Sequence, residues 1–286
     1  MTLLNKGHVS IERFHVDNRT AILSLDLEAD YGGDDFEAVS QLPVLLKLLE
    51  SENVPITIFA EARVLKRFPE MIRHAKNQGV DLQLHCFDHR QTGDTSQSLR
   101  KSIQIYQDLV GARPNGYRAD TFRLTKQIYK TLIDENFLWD SSILPAAFGF
   151  GASREWCKES SGNDYFRFDK KLYEFPVAIH PNIKIPFTHS YQAILRKYPA
   201  YLLQILGGLP KLLVYDMHMS DLVWTKSINT SQSIPDSARA LYKLSWFMRG
   251  KNTFSELASL IKNLRNRGYI FTTLDELYHK VKINDK

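Results

Sequence analysis

A chain of 286 residues with 43% hydrophobic content can bury a sizeable core, as one large domain or two ordinary ones. Its 37 Lys and Arg against 32 Asp and Glu give a net charge of +5, compatible with an anionic substrate or peripheral contact with a phospholipid surface. No basic run is interleaved with aromatics, which argues against nucleic acid, and two cysteines, Cys86 and Cys157, exclude a disulfide framework and point to a reducing compartment.

The opening run MTLLNKGHVSIERFHVDNR has no apolar signal core and no small-residue cleavage site, so the expected location is the cytoplasm. Short apolar runs then alternate with helical patterns, the signature of β-α units around a mostly parallel sheet. Candidate strands are AILSLDL (21–27), ITIFA (56–60), DLQLH (81–85), GYRA (116–119), FLWDSS (137–142), EFPVAI (174–179), LLVYDM (212–217) and YIFTT (269–273). The spacing of Val39, Leu42, Leu45, Leu46 and Leu49 predicts a helix over 36–52, and similar faces predict helices over 62–77, 96–109, 125–135 and 253–267. Residues 146–171 are rich in Gly, Ser and charge and read as a loop. The most apolar stretch, 200–215, is broken by Gly207, Gly208 and Pro210 and reads as a helix, a turn and a buried strand, short of a bilayer span. No repeat or linker marks a boundary, so 1–286 is read as a single domain.

In a β-α barrel, polar residues at the carboxyl ends of strands converge on a common site. The first apolar strand runs into Asp26-Leu27-Glu28, whose alternation puts both carboxylates on one face, with Asp30 close behind. Paired carboxylates repel, and a cation beside them relieves the repulsion; a solvated acidic turn before Gly32-Gly33 is the other reading. The third strand ends in His85-Cys86-Phe87-Asp88-His89, and two imidazoles four apart can meet on one divalent metal ion if the chain turns helical there. Cys86, wedged between them, reads as a small apolar filler. Arg118 stands at the fourth strand end, where a guanidinium fork can orient a carboxylate as lysine cannot. His218 follows the seventh strand.

This order of an acidic pair, H-x-x-x-H, an Arg-bearing strand end, W-D-S-S and a late histidine resembles the NodB-type polysaccharide deacetylases. The segments DLEADYGG, GYRADTFRLT, FLWDSSI, LYEFPV and RGYIFTTLDEL resemble the branch associated with exopolysaccharide and cell-wall glycan loci, over residues 20–280. The resemblance implies an α/β fold, a distorted (β/α) barrel, and a divalent ion, commonly zinc, held by Glu28, His85 and His89, with Asp30 a rival for Glu28. It further implies Asp26 as base, Arg118 holding Asp26, and His218 as acid. Asp-Leu-Glu replaces the common Asp-Asp pair, Asp120 stands where a proline is usual, and His218 lacks the usual His-Pro surroundings. The activity so implied is removal of an N-acyl group from an amino sugar. Its substrate would be a glycan or its nucleotide- or lipid-linked precursor; a deformylase or amidase on a small amide and an inactive glycan-binding relative are the alternatives.

Overall fold

The computed structural model describes residues 4–6, 9–88, 95–146, 156, 164–182, 184–190, 208–229, 243, 246–247 and 252–284. Its strands are β1 (Leu4–Lys6), β2 (Val9–His15), β3 (Thr20–Leu27), β4 (Ile56–Ala60), β5 (Asp81–Leu84), β6 (Gly116–Tyr117), β7 (Trp139–Asp140), β8 (Asp164–Phe168), β9 (Leu172–Glu174), β10 (Leu212–His218) and β11 (Ile270–Phe271). The helices are α1 (Leu42–Ser51), α2 (Ala62–Arg67), α3 (Pro69–Asn77), α4 (Ser96–Val110), α5 (Lys126–Asp134), the single turn α6 (Met219–Leu222), α7 (Phe254–Asn266) and α8 (Leu274–Asn284).

One mixed sheet runs in the order β1-β2-β8-β9-β7-β6-β5-β4-β3-β10, with β11 also paired to the start of β3. From β9 to β10 every neighbouring pair is parallel, as the β-α reading requires. Among the described residues no ladder closes the sheet, yet the chain beyond β9 returns to β10: Ala178 N–H donates to Val214 O at 2.9 Å, and Thr188 bridges Asp216 in parallel. The mixed α/β architecture is therefore that of a distorted barrel whose seam is spanned by isolated contacts.

Alternation divides the core. Ala21, Leu23, Leu25 and Leu27 of β3 pack with the apolar faces of the helices, whereas Ile22 joins Phe59, Trp139, Phe175 and Val214 in a separate inner cluster. Gly116 is required where Trp139 crosses it, because a Cβ there would lie 2.2 Å from the indole ring.

Several boundaries differ from expectation for local reasons. The 62–77 helix is two: Phe68 leaves helical geometry (φ −126°, ψ 48°) ahead of Pro69, which starts α3. Helix 36–52 begins as a 3-10 turn over Ala38–Gln41 and becomes α-helical with Pro43 in its first turn. Helix α4 meets its predicted start because Thr95 and Ser98 form a reciprocal capping box, and Gly111 ends it at φ 76°. Strands 116–119, 137–142 and 269–273 shrink to two residues each, and the strand expected over 174–179 is displaced to Leu172–Glu174, sharing only Glu174, with an isolated bridge at Ile179. The 146–171 segment is not all loop, since 164–168 forms β8, which pairs antiparallel with β2 and β9; most of the rest, and residues 200–207 of the stretch read as helix, turn and strand, lie outside the described residues. No helix among the described residues is long and apolar enough to cross a membrane.

Candidate active site

β3 brings Ser24 and Asp26 up its inner face, and Glu28 follows one step beyond its end; Asp26 and Glu28 are both buried. Arg118, one residue past β6, is fully buried with its guanidinium 4.1 Å from the Phe59 ring centre. Its Nη1 donates to Ser24 Oγ (2.9 Å), Asp26 Oδ1 (2.8 Å) and Asp216 Oδ1 (2.7 Å). Its Nε donates to the Ser141 carbonyl at 3.0 Å and Nη2 to Ser141 Oγ at 2.9 Å. Arg118 and Asp26 thus meet as expected, but through one shared nitrogen rather than a two-pronged fork, because the rest of the fork is spent on Ser141. Burial pushes the Asp216 carboxyl up to about 7, helped by the charge of Asp26 and opposed by Arg118 and His218.

His85, directly after β5, is held at both ring nitrogens: Nδ1 lies 2.8 Å from the Arg118 carbonyl and Nε2 3.1 Å from Glu28 Oε2. A carbonyl only accepts, so Nδ1 carries a hydrogen, and the lone pair of Nε2 would face a carboxylate oxygen unless a positive species lies between them. Burial opposes a charged imidazole, yet the carboxylates of Asp26, Glu28 and Asp120 outweigh it and raise His85 to about 9. That combination, an anchored imidazole facing a carboxylate, fits a divalent cation. His89 lies outside the described residues. The rival Asp30 is turned elsewhere: both its oxygens accept from Ala38 N–H at 3.2 Å, and Oδ2 also accepts from Ser227 Oγ at 3.1 Å. Burial raises it to about 6 despite these donors.

Opposite stands His218, at the end of β10 and 29% exposed at its side chain. Its Nε2 lies 3.9 Å from Asp26 Oδ2 and 3.8 Å from Glu28 Oε1. Asp221 Oδ2 holds both the His218 ring, 3.1 Å from Nδ1, and its backbone N–H, also at 3.1 Å. Burial disfavours the imidazolium, but the Asp221 hydrogen bond and the charges of Glu28, Asp216 and Asp221 overcome it and raise the pKa well above the ordinary histidine value. Asp216 thus adds charge to the support of His218, while Asp140 accepts from Ser142 Oγ at 2.6 Å and faces Glu174 instead.

Asp26, Asp216 and His218 also bring three ligand-type atoms within 4.8 Å of one another. Arg118 already donates to both of those carboxylates, so a second cation there would meet a guanidinium. The loops carrying these groups are tied together by Arg63, which donates to Glu61 Oε1 at 2.5 Å and Gly33 O at 2.9 Å and pairs with Asp88 at 3.3 Å. Glu61 in turn accepts from Ala29 N–H at 3.0 Å, beside Glu28.

Sequence reading missed Asp221 and Ser141. The spacing His218-x-x-Asp221 at a strand end was a usable signal for a capping box; the serine contacts depend on the twist of β7 against β6 and had none.

Residues 29–133 match the polysaccharide deacetylase family, and the resemblance read from the motifs is borne out. A peptidoglycan deacetylase of Helicobacter pylori is 25% identical over 128 residues, 40% of this chain and 44% of that protein. A peptidoglycan deacetylase-like protein of Gibberella zeae is 27% identical over 122 residues, 40% of this chain and 36% of that protein. The aligned part thus spans less than half the length of either relative. Among solved structures, a Puue allantoinase superposes with a TM-score of 0.53 at 16% identity, covering 92% of this chain and 90% of that one. A CE4 family pseudoenzyme from Bacillus anthracis gives 0.52 at 14% identity, covering 93% and 67%. These likenesses establish a shared fold.

Proposed function

We propose, from this kinship with polysaccharide deacetylases, that the protein is a metal-dependent hydrolase removing an N-acyl group, acetyl by preference, from an amino sugar of a glycan or its nucleotide- or lipid-linked precursor. Because the fold is also that of an allantoinase and a pseudoenzyme, the reading rests on residues. The observation that carries it is the pairing of Asp26, oriented by Arg118 at 2.8 Å, with the partly exposed His218, whose Nε2 lies 3.9 Å from Asp26 Oδ2.

Amide hydrolysis needs a base for the attacking water and a proton donor for a poor amine leaving group. In this reading Asp26 takes the proton from water as its oxygen adds to the acyl carbon. His218, kept protonated by Asp221, delivers a proton to the departing nitrogen as the C–N bond breaks, leaving a carboxylic acid and a free amine. Each transfer assists by roughly 10²- to 10⁴-fold. Glu28, His85 and His89 would hold the ion, zinc in this reading, whose chemistry is Lewis-acidic activation of water and of the acyl oxygen. His85 is aimed by the Arg118 carbonyl, so one residue orients the base with its side chain and a ligand with its backbone. The test is release of acetate or formate from a panel of N-acylated amino sugars and sugar carriers, with and without chelator. Release from an acetylated sugar supports the reading, and release only from small non-sugar amides overturns its substrate.

A further inference from the structure

We propose that Asp140 and Glu174 share one proton on the helix-facing side of the strand wall, and that the locked pair positions the serine shelf on which Arg118 rests. The positioning role depends on the reading of Arg118 above; the shared proton does not.

The two residues are register partners on the parallel strands β7 and β9, and both are 0% exposed. Their carboxyl groups act on each other at close range, and each shifts the other's ionisation. Asp140 Oδ1 accepts from Ser142 Oγ at 2.6 Å, and Glu174 Oε1 from Ile143 N–H at 3.0 Å. The remaining oxygens, Asp140 Oδ2 and Glu174 Oε2, meet no N–H or O–H donor among the described residues. Across the sheet, Tyr117 stands opposite Asp140 on β6 and Phe166 opposite Glu174 on β8, neither a cation. Arg118 follows Tyr117 and so faces the other way, towards Asp26 and Asp216. Two carboxylates in contact without a cation cannot both ionise, so one holds a proton and donates it to the other. Burial raises both carboxyls, and each adds to the other's reluctance to ionise, so the pair holds one proton between them.

What the pair holds is adjacent to the site. Ser142 Oγ, donating to Asp140, accepts from Ala119 N–H at 2.8 Å. Ser141, between Asp140 and Ser142, takes Arg118 Nε on its carbonyl and Nη2 on its hydroxyl, which donates to the Phe175 carbonyl at 2.7 Å. The pair thus fixes both ends of a short segment whose middle residue carries half of the guanidinium fork. Loss of the proton would place two negative charges between β7 and β9 and force that segment apart.

Infrared spectra of the purified full chain test the proton directly. Wild type at neutral pH should show a protonated-carboxyl C=O band that Glu174→Gln lacks; absence of such a difference overturns the proposal. Because the folded-state pKa of Glu174 is raised, the stability it contributes is present in acid and lost as pH rises above the ordinary glutamate value. The urea midpoint of wild type should therefore fall with rising pH more steeply than that of Glu174→Gln, and parallel slopes would count against the pair. In turnover, Glu174→Gln keeps a donor for Asp140 Oδ2 and should stay within about threefold of wild type, whereas Glu174→Met leaves that oxygen without one and should lose roughly 10- to 100-fold in kcat. Equal rates for the two variants would overturn the positioning role. A wild type without hydrolase activity would refute the reading of the site and leave the infrared and urea results to decide the shared proton.

Discussion

Arg118 Nη1 stands 2.8 Å from Asp26 Oδ1, and the same nitrogen stands 2.7 Å from Asp216 Oδ1. One fixed donor therefore sets the base and a second buried carboxylate at once. Lysine could neutralise either, but its single ammonium cannot also reach both acceptors on Ser141. Arg118→Lys should lower kcat by roughly 10²-fold through misplacement of Asp26, with little change in KM. Steady-state kinetics on the acylated sugar check this, and a near-normal kcat would contradict it.

His218 is expected to supply the alkaline limb of the pH profile. An acid must be protonated to act, so the rate falls as pH rises through its folded pKa, which Asp221 and the neighbouring carboxylates hold well above the ordinary value. The same shift means that the stability His218 contributes is present below the ordinary histidine pKa and lost as pH climbs through the raised one. Asp221→Asn should move the alkaline limb to lower pH. His218→Gln should abolish that limb and slow amides far more than activated esters, whose leaving groups need no proton. Equal slowing of both substrates would remove His218 from the acid role.

Metal analysis separates the ligand sets. Glu28→Gln, His85→Ala and His89→Ala should each lose the ion. Asp30→Asn should keep it, because Asp30 is engaged with Ala38 and Ser227. Loss of metal on Asp216→Asn with retention in His85→Ala would instead place the ion between Asp26, Asp216 and His218.

Gly116→Ala should cost about 3 kcal/mol, because its methyl group would overlap the buried Trp139 ring and shift the wall that carries Arg118. A denaturant midpoint unchanged from wild type would show that β7 can yield.

The strands that hold Asp26 and His218 were legible because β3 and β10 are long and apolar and end abruptly in charged groups. Helix α4 was legible from its periodicity and caps. The wing of β2 and β8 was not: VSIERFH and DYFRF are mixed in polarity, and their pairing joins residues some 150 positions apart. The short strands were overestimated since β6 and β7 give way to irregular backbone just where Arg118 and Ser141 must turn towards each other. In the site, residue types at strand ends pointed to Asp26, Glu28, His85, Arg118 and His218, whereas the pairing of Asp140 with Glu174 was not legible, because sequence does not reveal which face of a two-residue strand a side chain takes.

Metal-dependent hydrolysis with Asp26 as base is tested most directly by acetate release from an N-acetylated amino-sugar substrate, followed alongside metal content for wild type and Asp26→Asn. Wild type should lose activity on chelation and regain it on reloading, while Asp26→Asn keeps the ion and releases almost no acetate. Undiminished release by the chelated wild type, or by Asp26→Asn, would contradict the account.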